Sequence, residues 1–301
     1  MKISDIGELL LIAALWSGSF LLMRIAAPVL GPVWLAEMRV LLAGLALLPF
    51  LIRSKLWGKA RQKLIPLFVV GCINSALPLL LFAFASIFLP VGFTSILDAT
   101  SPLFGTVVAA VWLREKLTFN RMGGLILGFA GVTILVGMRT FETTPSTLLA
   151  MPSASYAIAA GLLAAFSYAT AAPYSQRQLS SVPPLVITTV SLLSAAIFLL
   201  PVLPFTVPKT TPTPTVLLAV LALALFSTAL AYALYYRLIQ NIGSTKALTV
   251  AYLIPVFGVI WGNTILHEPV TSSIILGCGL ILLGTAIANN LFSSLLRKIH
   301  L

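Results

Sequence analysis

Long apolar stretches and short polar connections alternate along the whole chain. Ten of these stretches are close to the roughly 20 residues that a bilayer-spanning helix needs. They cover residues 8–27, 32–52, 64–88, 91–112, 121–138, 154–174, 184–204, 215–236, 245–266 and 273–295. The longest polar connections, 53–63, 139–153 and 205–214, are too short for a separate soluble domain. The pattern predicts an all-α integral membrane protein of ten transmembrane helices, in which the helices themselves perform the function.

The first stretch also invites comparison with a secretory signal peptide, because it follows a short Met1–Asp5 lead. Its apolar run is longer than the usual ~7–15 residues of a signal core, and no small-residue cleavage site follows it. We therefore expect a retained first helix.

A sequence motif occurs twice, 153 residues apart. Pro102-Leu103-Phe104-Gly105 with Glu115 returns as Pro255-Val256-Phe257-Gly258 with Glu268. The same shift carries Gly124 onto Gly277, Gly131 onto Gly284 and Arg24 onto Arg177. Such a duplication predicts two structural repeats, residues 1–150 and 151–301, with a solute site between them.

The two repeats are expected to be inverted relative to each other. Five predicted helices separate Pro102 from Pro255, and an odd number reverses the direction of the chain. The connection 113–121 is basic, whereas its counterpart 266–272 has no Lys or Arg. Inverted repeats are typical of transporters, because the two halves can exchange conformations and expose a shared cavity to each side in turn.

Composition and charge agree with a membrane protein. The chain is 59% hydrophobic and 8% charged, with a mean hydropathy of +1.09, whereas a soluble domain carries about 25% charged residues. Of the 18 Lys and Arg residues, 14 fall on the side of the N-terminus, only Arg139 and Lys209 on the other side, and Arg24 and Arg39 within helices. This bias predicts cytoplasmic termini and accounts for the net charge of +11 without a nucleic-acid site.

Metal, disulfide and cofactor chemistry finds no support in the sequence. The two cysteines, Cys72 and Cys278, fall within predicted helices, and the two histidines, His267 and His300, are distant from each other. Neither pair has the spacing of a ligand set. No phosphate-binding Gly-Lys-Ser/Thr loop is present either, so we expect no cofactor and no direct use of ATP.

The chain resembles the EamA-type family of the drug/metabolite transporter superfamily. The resemblance rests on Trp16-Ser17-Gly18-Ser19-Phe20, on Arg39, and on the Pro-x-Phe motif of each half with its following glutamate and glycine-spaced helix. It implies a ten-helix exporter of small metabolites, in the inner membrane of a bacterium, with its cavity between the halves. The family's solutes include amino acids, sugars, nucleotide-linked compounds and drugs, so the resemblance does not name the substrate.

Paired prolines interrupt equivalent helices. Pro102 and Pro255 each remove one backbone donor and free the carbonyl of the fourth preceding residue, Asp98 or Ala251. Either neighbouring helices satisfy these carbonyls or the breaks border the transport pathway.

Asp98, Arg39 and Glu37 are charged residues within predicted helices and therefore candidates for substrate or proton binding. Arg39 is expected to bond Asp98 or backbone carbonyls, since Glu37 lies on another helix face. A fixed Arg39–Asp98 bridge would only order the bundle. In the alternative, Asp98 or Glu37 binds a proton or a cationic group during transport.

Polar and aromatic residues at depth complete the candidate site. Asn74 shares its helix with Pro78, where backbone bonding is interrupted. Aromatic faces suit planar or cationic solutes, although each of these rings could equally serve ordinary packing. Tyr235 is assigned instead to an interfacial belt, and Glu268 to a helix end without substrate contact. The remaining candidates are Trp16, Ser17, Tyr168, Tyr232 and Tyr252.

Glycines line the fifth and tenth predicted helices at Gly124, Gly128, Gly131, Gly277 and Gly284. Such residues let helix backbones approach closely, either within a monomer or across a homodimer.

The sequence favours a secondary transporter that works by alternating access, with proton coupling as one alternative. A sugar-phosphate or nucleotide-sugar exchanger would need several basic groups in the cavity, and only Arg39 is present there. A channel is the other alternative, because the same polar groups can line a pore. An enzyme is not expected, since no nucleophile–base or metal-ligand grouping is visible.

Overall fold

The fold was analysed in a computed structural model that describes residues 3–112, 118–142, 152–208, 210–242, 247 and 249–288. These residues form apolar helices joined by short connections. Glu115, Lys209 and His300, named above, lie outside the described residues. So do six of the 14 basic residues counted on the side of the N-terminus, namely Lys2, Arg114, Lys116, Lys246, Arg297 and Lys298.

Eight helices are long and apolar enough to cross a bilayer. They follow the first eight predicted stretches, which confirms the all-α membrane class. Two further apolar helices of 17 residues, Val250–Leu266 and Ser272–Ala288, lie at the last two stretches. A count of ten spans in two inverted repeats therefore stays a prediction. The helices are α1 (Ile3–Leu30), α2 (Pro32–Arg53), α3 (Leu64–Phe88), α4 (Val91–Trp112), α5 (Phe119–Glu142), α6 (Pro152–Leu179), α7 (Pro184–Phe205), α8 (Pro214–Ile242), α9 (Val250–Leu266) and α10 (Ser272–Ala288).

Gly31 makes the turn between α1 and α2. Its backbone has φ 76° and ψ 160°, a conformation that a residue with a side chain rarely adopts. Just after the turn, the Trp34 Nε1–H group donates to the Leu203 carbonyl oxygen at 3.2 Å, which fixes the start of α2 against the end of α7.

Two helices contain a π-helical turn. It covers Cys72–Ala76 in α3 and Leu225–Leu230 in α8. A shift of 153 residues carries Cys72 onto Leu225, so the two turns begin at corresponding positions of the proposed repeats. Single π-turns within α-helices are often found at functional sites.

Helix α4 is interrupted in its middle. It runs as Val91–Asp98, turns at residues 99–100, and continues as Ser101–Trp112. The Asp98 carbonyl oxygen, which Pro102 leaves without a helical donor, accepts the Ser101 hydroxyl at 2.7 Å. This part of the break is thus satisfied locally, whereas α9 continues as a helix through the buried Pro255.

The glycines of α5 and α10 face each other. A Cβ atom on Gly124 would lie 2.5 Å from the Gly284 carbonyl oxygen, and one on Gly131 would lie 3.0 Å from the Gly277 carbonyl oxygen. The two backbones are therefore in direct contact over two turns. Because the glycine faces cover each other within one chain, they serve internal packing rather than a dimer contact.

The ends of the helices define two faces of the bundle. Glu8 in α1 pairs with Arg237 near the end of α8, and we call this side the N-terminal face. Arg24 near the end of α1 meets the ends of α3 and α9, and we call that side the distal face.

Candidate functional site

Arg39 is buried in the middle of the bundle, with 5% of its surface exposed. Its Nε–H group donates to the Thr228 hydroxyl at 2.9 Å, and Nη1 lies 3.7 Å from the Met23 sulfur. Thr228 belongs to the π-helical turn of α8, and its hydroxyl donates in turn to the Leu223 carbonyl oxygen at 2.9 Å. The irregular turn thus holds the guanidinium in place through one side chain.

Two tyrosines interact with this arginine, and one of them, Tyr168, also interacts with the carboxylate of Asp98. Tyr168 of α6 interacts electrostatically with Tyr232 of α8, with Asp98 at the break of α4, and with Arg39. Arg39 interacts with both tyrosines. The cluster of Arg39, Asp98, Tyr168 and Tyr232 therefore combines side chains from α2, α4, α6 and α8. We call it the central cluster.

The ion pair between Arg39 and Asp98 that was one of the sequence alternatives is not formed. Both residues belong to the described part of the chain, yet Arg39 bonds to Thr228 and Met23, and Asp98 has Ser101 beside its carboxylate. The expected backbone-carbonyl partner for Arg39 is replaced by a hydroxyl. The half-buried Asp98 carboxylate is thus not neutralised by Arg39.

Aromatic rings extend the central cluster on two sides. Tyr168 stacks on Phe82 with 6.1 Å between ring centroids and 28° between planes. The ring centroid of Trp16 lies 6.0 Å from that of Tyr232 and 4.9 Å from that of Tyr235. The ring of Tyr235, which the sequence assigned to an interfacial belt, thus packs against Trp16 of α1.

The remaining candidates are distributed elsewhere. Ser17 is fully buried and faces Gly258, together with Ser95, where α1, α4 and α9 meet. Glu37 is buried, and neither of its carboxylate oxygens has a hydrogen bond among the described residues. Asn74 is half-buried in the π-helical turn of α3, four residues before the buried Pro78, and Tyr252 is half-buried in α9.

The π-helical turn of α3 also has a tertiary partner. The Ser167 hydroxyl of α6 donates to the Ile73 carbonyl oxygen at 2.6 Å. Because Ser167 precedes Tyr168, this bond fixes the part of α6 that brings Tyr168 to Arg39.

A cavity of about 300 Å³ approaches the central cluster from the N-terminal face. It lies between the later parts of α2 and α8 and the start of α7. Tyr232 of the central cluster belongs to its wall, so the cavity connects that face with the cluster. The other lining residues are Leu47, Pro183, Pro184, Leu185, Thr188, Ala233, Arg237 and Gln240.

Sequence reasoning missed three features of this region. Thr228 was not among the candidate site residues, and Glu268 and Arg24 were not assigned to any site. A signal for Thr228 exists, since it stands in the second repeat where Ser75 stands in the first. Among the described residues, no group of three or more His, Cys, Asp or Glu side chains could hold a metal ion.

Comparisons with known proteins identify the family of the chain. The EamA-like transporter family matches it twice, over residues 6–137 and 155–290. A probable amino-acid metabolite efflux pump of Salmonella typhimurium is 24% identical, with 96% of this chain and 95% of the relative covered. An S-adenosylmethionine/S-adenosylhomocysteine transporter of Chlamydia muridarum is 25% identical, with 90% and 87% covered.

The fold is also found among solved structures. One crystal structure superposes with a TM-score of 0.67 at 18% identity, and the match covers 98% of this chain and 99% of the other. At this identity the likeness concerns the fold alone. The family match extends over most of the chain, and it connects the helical membrane fold of the chain with a family of transporters. The chain is a multi-pass membrane protein and belongs to the EamA-like transporter family.

Proposed function

We propose that the protein is a secondary transporter that carries a small organic metabolite, such as an amino acid or a related compound, by alternating access. The observation that carries this proposal is the central cluster. A buried guanidinium, a carboxylate that it does not neutralise, and two tyrosines meet there between helices of both halves of the chain.

This arrangement suits a solute with charges of both signs. Arg39 has more N–H donors than its bonds to Thr228 and Met23 use, and these donors match a carboxylate. Asp98 can accept an ammonium group or a proton, because a carboxylate within a membrane protein needs such a partner. The rings of Trp16 and Tyr168 offer flat apolar faces to the remainder of the solute, and the buried Phe82 stacks on Tyr168.

Alternating access requires two halves that can exchange conformations, and we assign them to residues 1–150 and 151–301. Two observations support this division. The π-helical turns of α3 and α8 stand 153 residues apart. In addition, Gly124 contacts Gly284 while Gly131 contacts Gly277, although the shift relates Gly124 to Gly277 and Gly131 to Gly284. Reciprocal contacts of this kind are those of a twofold axis.

The charge distribution and the relatives support a direction and a setting for transport. The excess of Lys and Arg beside the N-terminus favours a cytoplasmic location of both termini. The Salmonella typhimurium relative, whose name describes efflux, favours an exporter in a bacterial plasma membrane. A sugar-phosphate exchanger is less favoured, because Arg39 is the one basic residue of the central cluster.

Purified protein tests this function in two steps. A panel of amino acids, nucleosides, S-adenosyl compounds and sugar phosphates is first screened for an increase in the thermal unfolding midpoint, since a ligand that binds the folded state raises it. The stabilising compounds are then assayed for counterflow in proteoliposomes. We expect saturable exchange of a zwitterionic amine. Fast flux without exchange would identify a channel instead.

A further inference from the structure

Four helix ends meet in a polar junction at the distal face. Arg24 Nη1 donates to the carbonyl oxygens of Ser86 at 2.9 Å and Ile87 at 2.5 Å, at the end of α3. The Glu268 carboxylate, which follows α9, accepts the Val91 backbone N–H group at the start of α4 at 2.8 Å. Arg24 Nε and Glu268 Oε1 lie 3.9 Å apart.

The charges of this junction match the helix ends that they contact. The last carbonyls of a helix carry partial negative charge and the first N–H groups carry partial positive charge. Arg24 meets the former at α3 and Glu268 meets the latter at α4. One ion pair therefore joins four helix ends of both proposed repeats, α1, α3 and α4 in the first and α9 in the second.

The turn that presents Glu268 is firmly built. His267 has a left-handed backbone with φ 54°, which turns the chain back after α9. The Glu268 N–H group then donates to the Gly262 carbonyl oxygen at 3.0 Å, and the Asn263 side chain donates to the Glu268 carbonyl oxygen at 3.1 Å. These two bonds fix Glu268 to the end of α9, and from there its carboxylate accepts the backbone N–H group at the start of α4.

Below the junction, the first half of α4 packs tightly on α9. A Cβ atom on Gly92 would lie 3.0 Å from Val259 Cγ2, and one on Gly258 would lie 2.1 Å from the Ser95 hydroxyl. Thr94 and Ser95 are at most 1% exposed. We call this contact the distal seal, and it reaches from the distal face to the level of Ser17. Arg24 and Glu268 themselves line a cavity of about 510 Å³ at the distal face.

Most residues that correspond to the distal seal in the other repeat lie outside the described residues, among them 244–246 and 248, the last of which corresponds to Ser95. Arg177 corresponds to Arg24 but is exposed. The cavity that ends at Tyr232 opens at the N-terminal face. In the described residues, α4 and α9 are thus in close contact below the distal face, and the cavity that Tyr232 lines lies toward the other face.

We propose that Arg24 and Glu268 form the distal gate of the transport pathway. The gate holds the first half of α4 against α9 and separates when the protein opens to the distal face. This inference rests on the proposed transport function. It assigns a role in the transport cycle to two residues that lie away from the central cluster.

The first test measures how readily a thiol reagent reaches position 95, in the contact between α4 and α9, and it needs no substrate. Ser95→Cys is introduced into a chain that carries Cys72→Ala and Cys278→Ala, and the protein is labelled in membrane vesicles of both orientations with an impermeant thiol reagent. Glu268→Gln and Arg24→Gln should each raise the labelling rate from the distal face about tenfold, which corresponds to about 1.4 kcal/mol. Glu8→Gln, a matched change at the N-terminal face, should leave this rate unchanged.

Unchanged labelling in folded, monodisperse Glu268→Gln and Arg24→Gln proteins would overturn the gate.

A second test keeps all gate residues. Cysteines at Gly92 and Val259 would have their Cβ atoms about 3.6 Å apart, close to the geometry of a disulfide. Oxidised Gly92→Cys/Val259→Cys protein should lose counterflow of a radiolabelled amino-acid mixture in proteoliposomes, and reduction should restore it.

The two tests separate the gate from the proposed function. If the reduced double variant and the parent both fail to exchange any solute of the panel, the transport function is wrong. If the oxidised protein is fully cross-linked and still exchanges amino acids at the parental rate, the gate is wrong while transport stands.

Discussion

At the scale of single residues, Arg39 and Asp98 divide the chemistry of the central cluster. Arg39 has a fixed position, because Thr228 binds its Nε–H group and the π-helical turn binds Thr228. Asp98 lies at the break of α4, where its backbone carbonyl is satisfied by Ser101. Its carboxylate is therefore the group with freedom to bind and release a partner during transport.

We predict that Asp98→Asn lowers the transport rate about tenfold and removes most of its pH dependence, a loss of about 1.4 kcal/mol. The amide cannot bind or release a proton, and it does not attract an ammonium group as a carboxylate does. Initial rates of uptake into proteoliposomes over a range of pH provide the measurement. The protein should accumulate at nearly normal levels, since Asp98 has no ion pair with Arg39 to lose.

Glu37→Gln serves as the matched control for this experiment. Glu37 is the other buried carboxylate of the candidate set, but no contact joins it to the tyrosines or to Arg39. Its substitution should leave the pH profile intact. Parental rate and profile in Asp98→Asn would remove Asp98 from the coupling role, and a flattened profile in Glu37→Gln alone would transfer that role to Glu37.

At the scale of helices, the contact between α5 and α10 has the closest backbone approach. A Cβ atom on Gly284 would lie 2.4 Å from the Gly128 backbone nitrogen, and neither backbone can yield without moving a whole helix. The two helices use small residues in place of a hydrophobic driving force, which is absent between helices in lipid.

We predict that Gly284→Ala lowers the free energy of unfolding by roughly 1–3 kcal/mol, as overpacking does in tightly packed interiors. Gly279→Ala, in the same helix, has no described atom within 4 Å of the added methyl group. It should be neutral or stabilising, because alanine favours a helix by up to about 1 kcal/mol over glycine. Thermal unfolding midpoints in one detergent compare the two. Equal midpoints would show that the α5–α10 contact is looser than the structure has it.

The sequence predicted these helices well, because a bilayer imposes a length and an apolar composition that can be read directly. The eight longest helices follow the predicted stretches, and the two prolines fall inside α4 and α9. The π-helical turns were not predictable in this way. A π-turn changes one backbone hydrogen bond and leaves the apolar pattern almost intact, so Cys72–Ala76 reads like any helical segment.

Side-chain partners were predicted less well than helices. Arg39 was expected to meet Asp98 or a carbonyl, but hydrophobic patterning does not reveal how a helix is rotated against its neighbours, and Thr228 is the observed partner. Glu268 was expected at a helix end without substrate contact, and its partners were not predicted for the same reason. Its contact with Val91 depends on how α4 and α9 lie together, which a single sequence does not specify.

At the scale of the whole molecule, the symmetry of the fold supports a transporter with two related halves. Equivalent π-helical turns and reciprocal glycine contacts relate these halves to each other. The contact of Gly258 with Ser95 belongs to one conformation of such a molecule. An exchange of conformations between the halves would produce the opposite state.

Inversion of the halves makes a prediction about topology that does not depend on substrate. Thr118 lies just before α5 and Val270 just before α10, and both are exposed. Because an odd number of helices separates them, Thr118→Cys and Val270→Cys, each in a background without Cys72 and Cys278, should be labelled by an impermeant thiol reagent from opposite sides of the membrane. The charge distribution places Thr118 on the cytoplasmic side. Labelling of both positions from the same compartment would contradict the inverted arrangement, and with it the assignment of the distal gate to one of two exchanging halves.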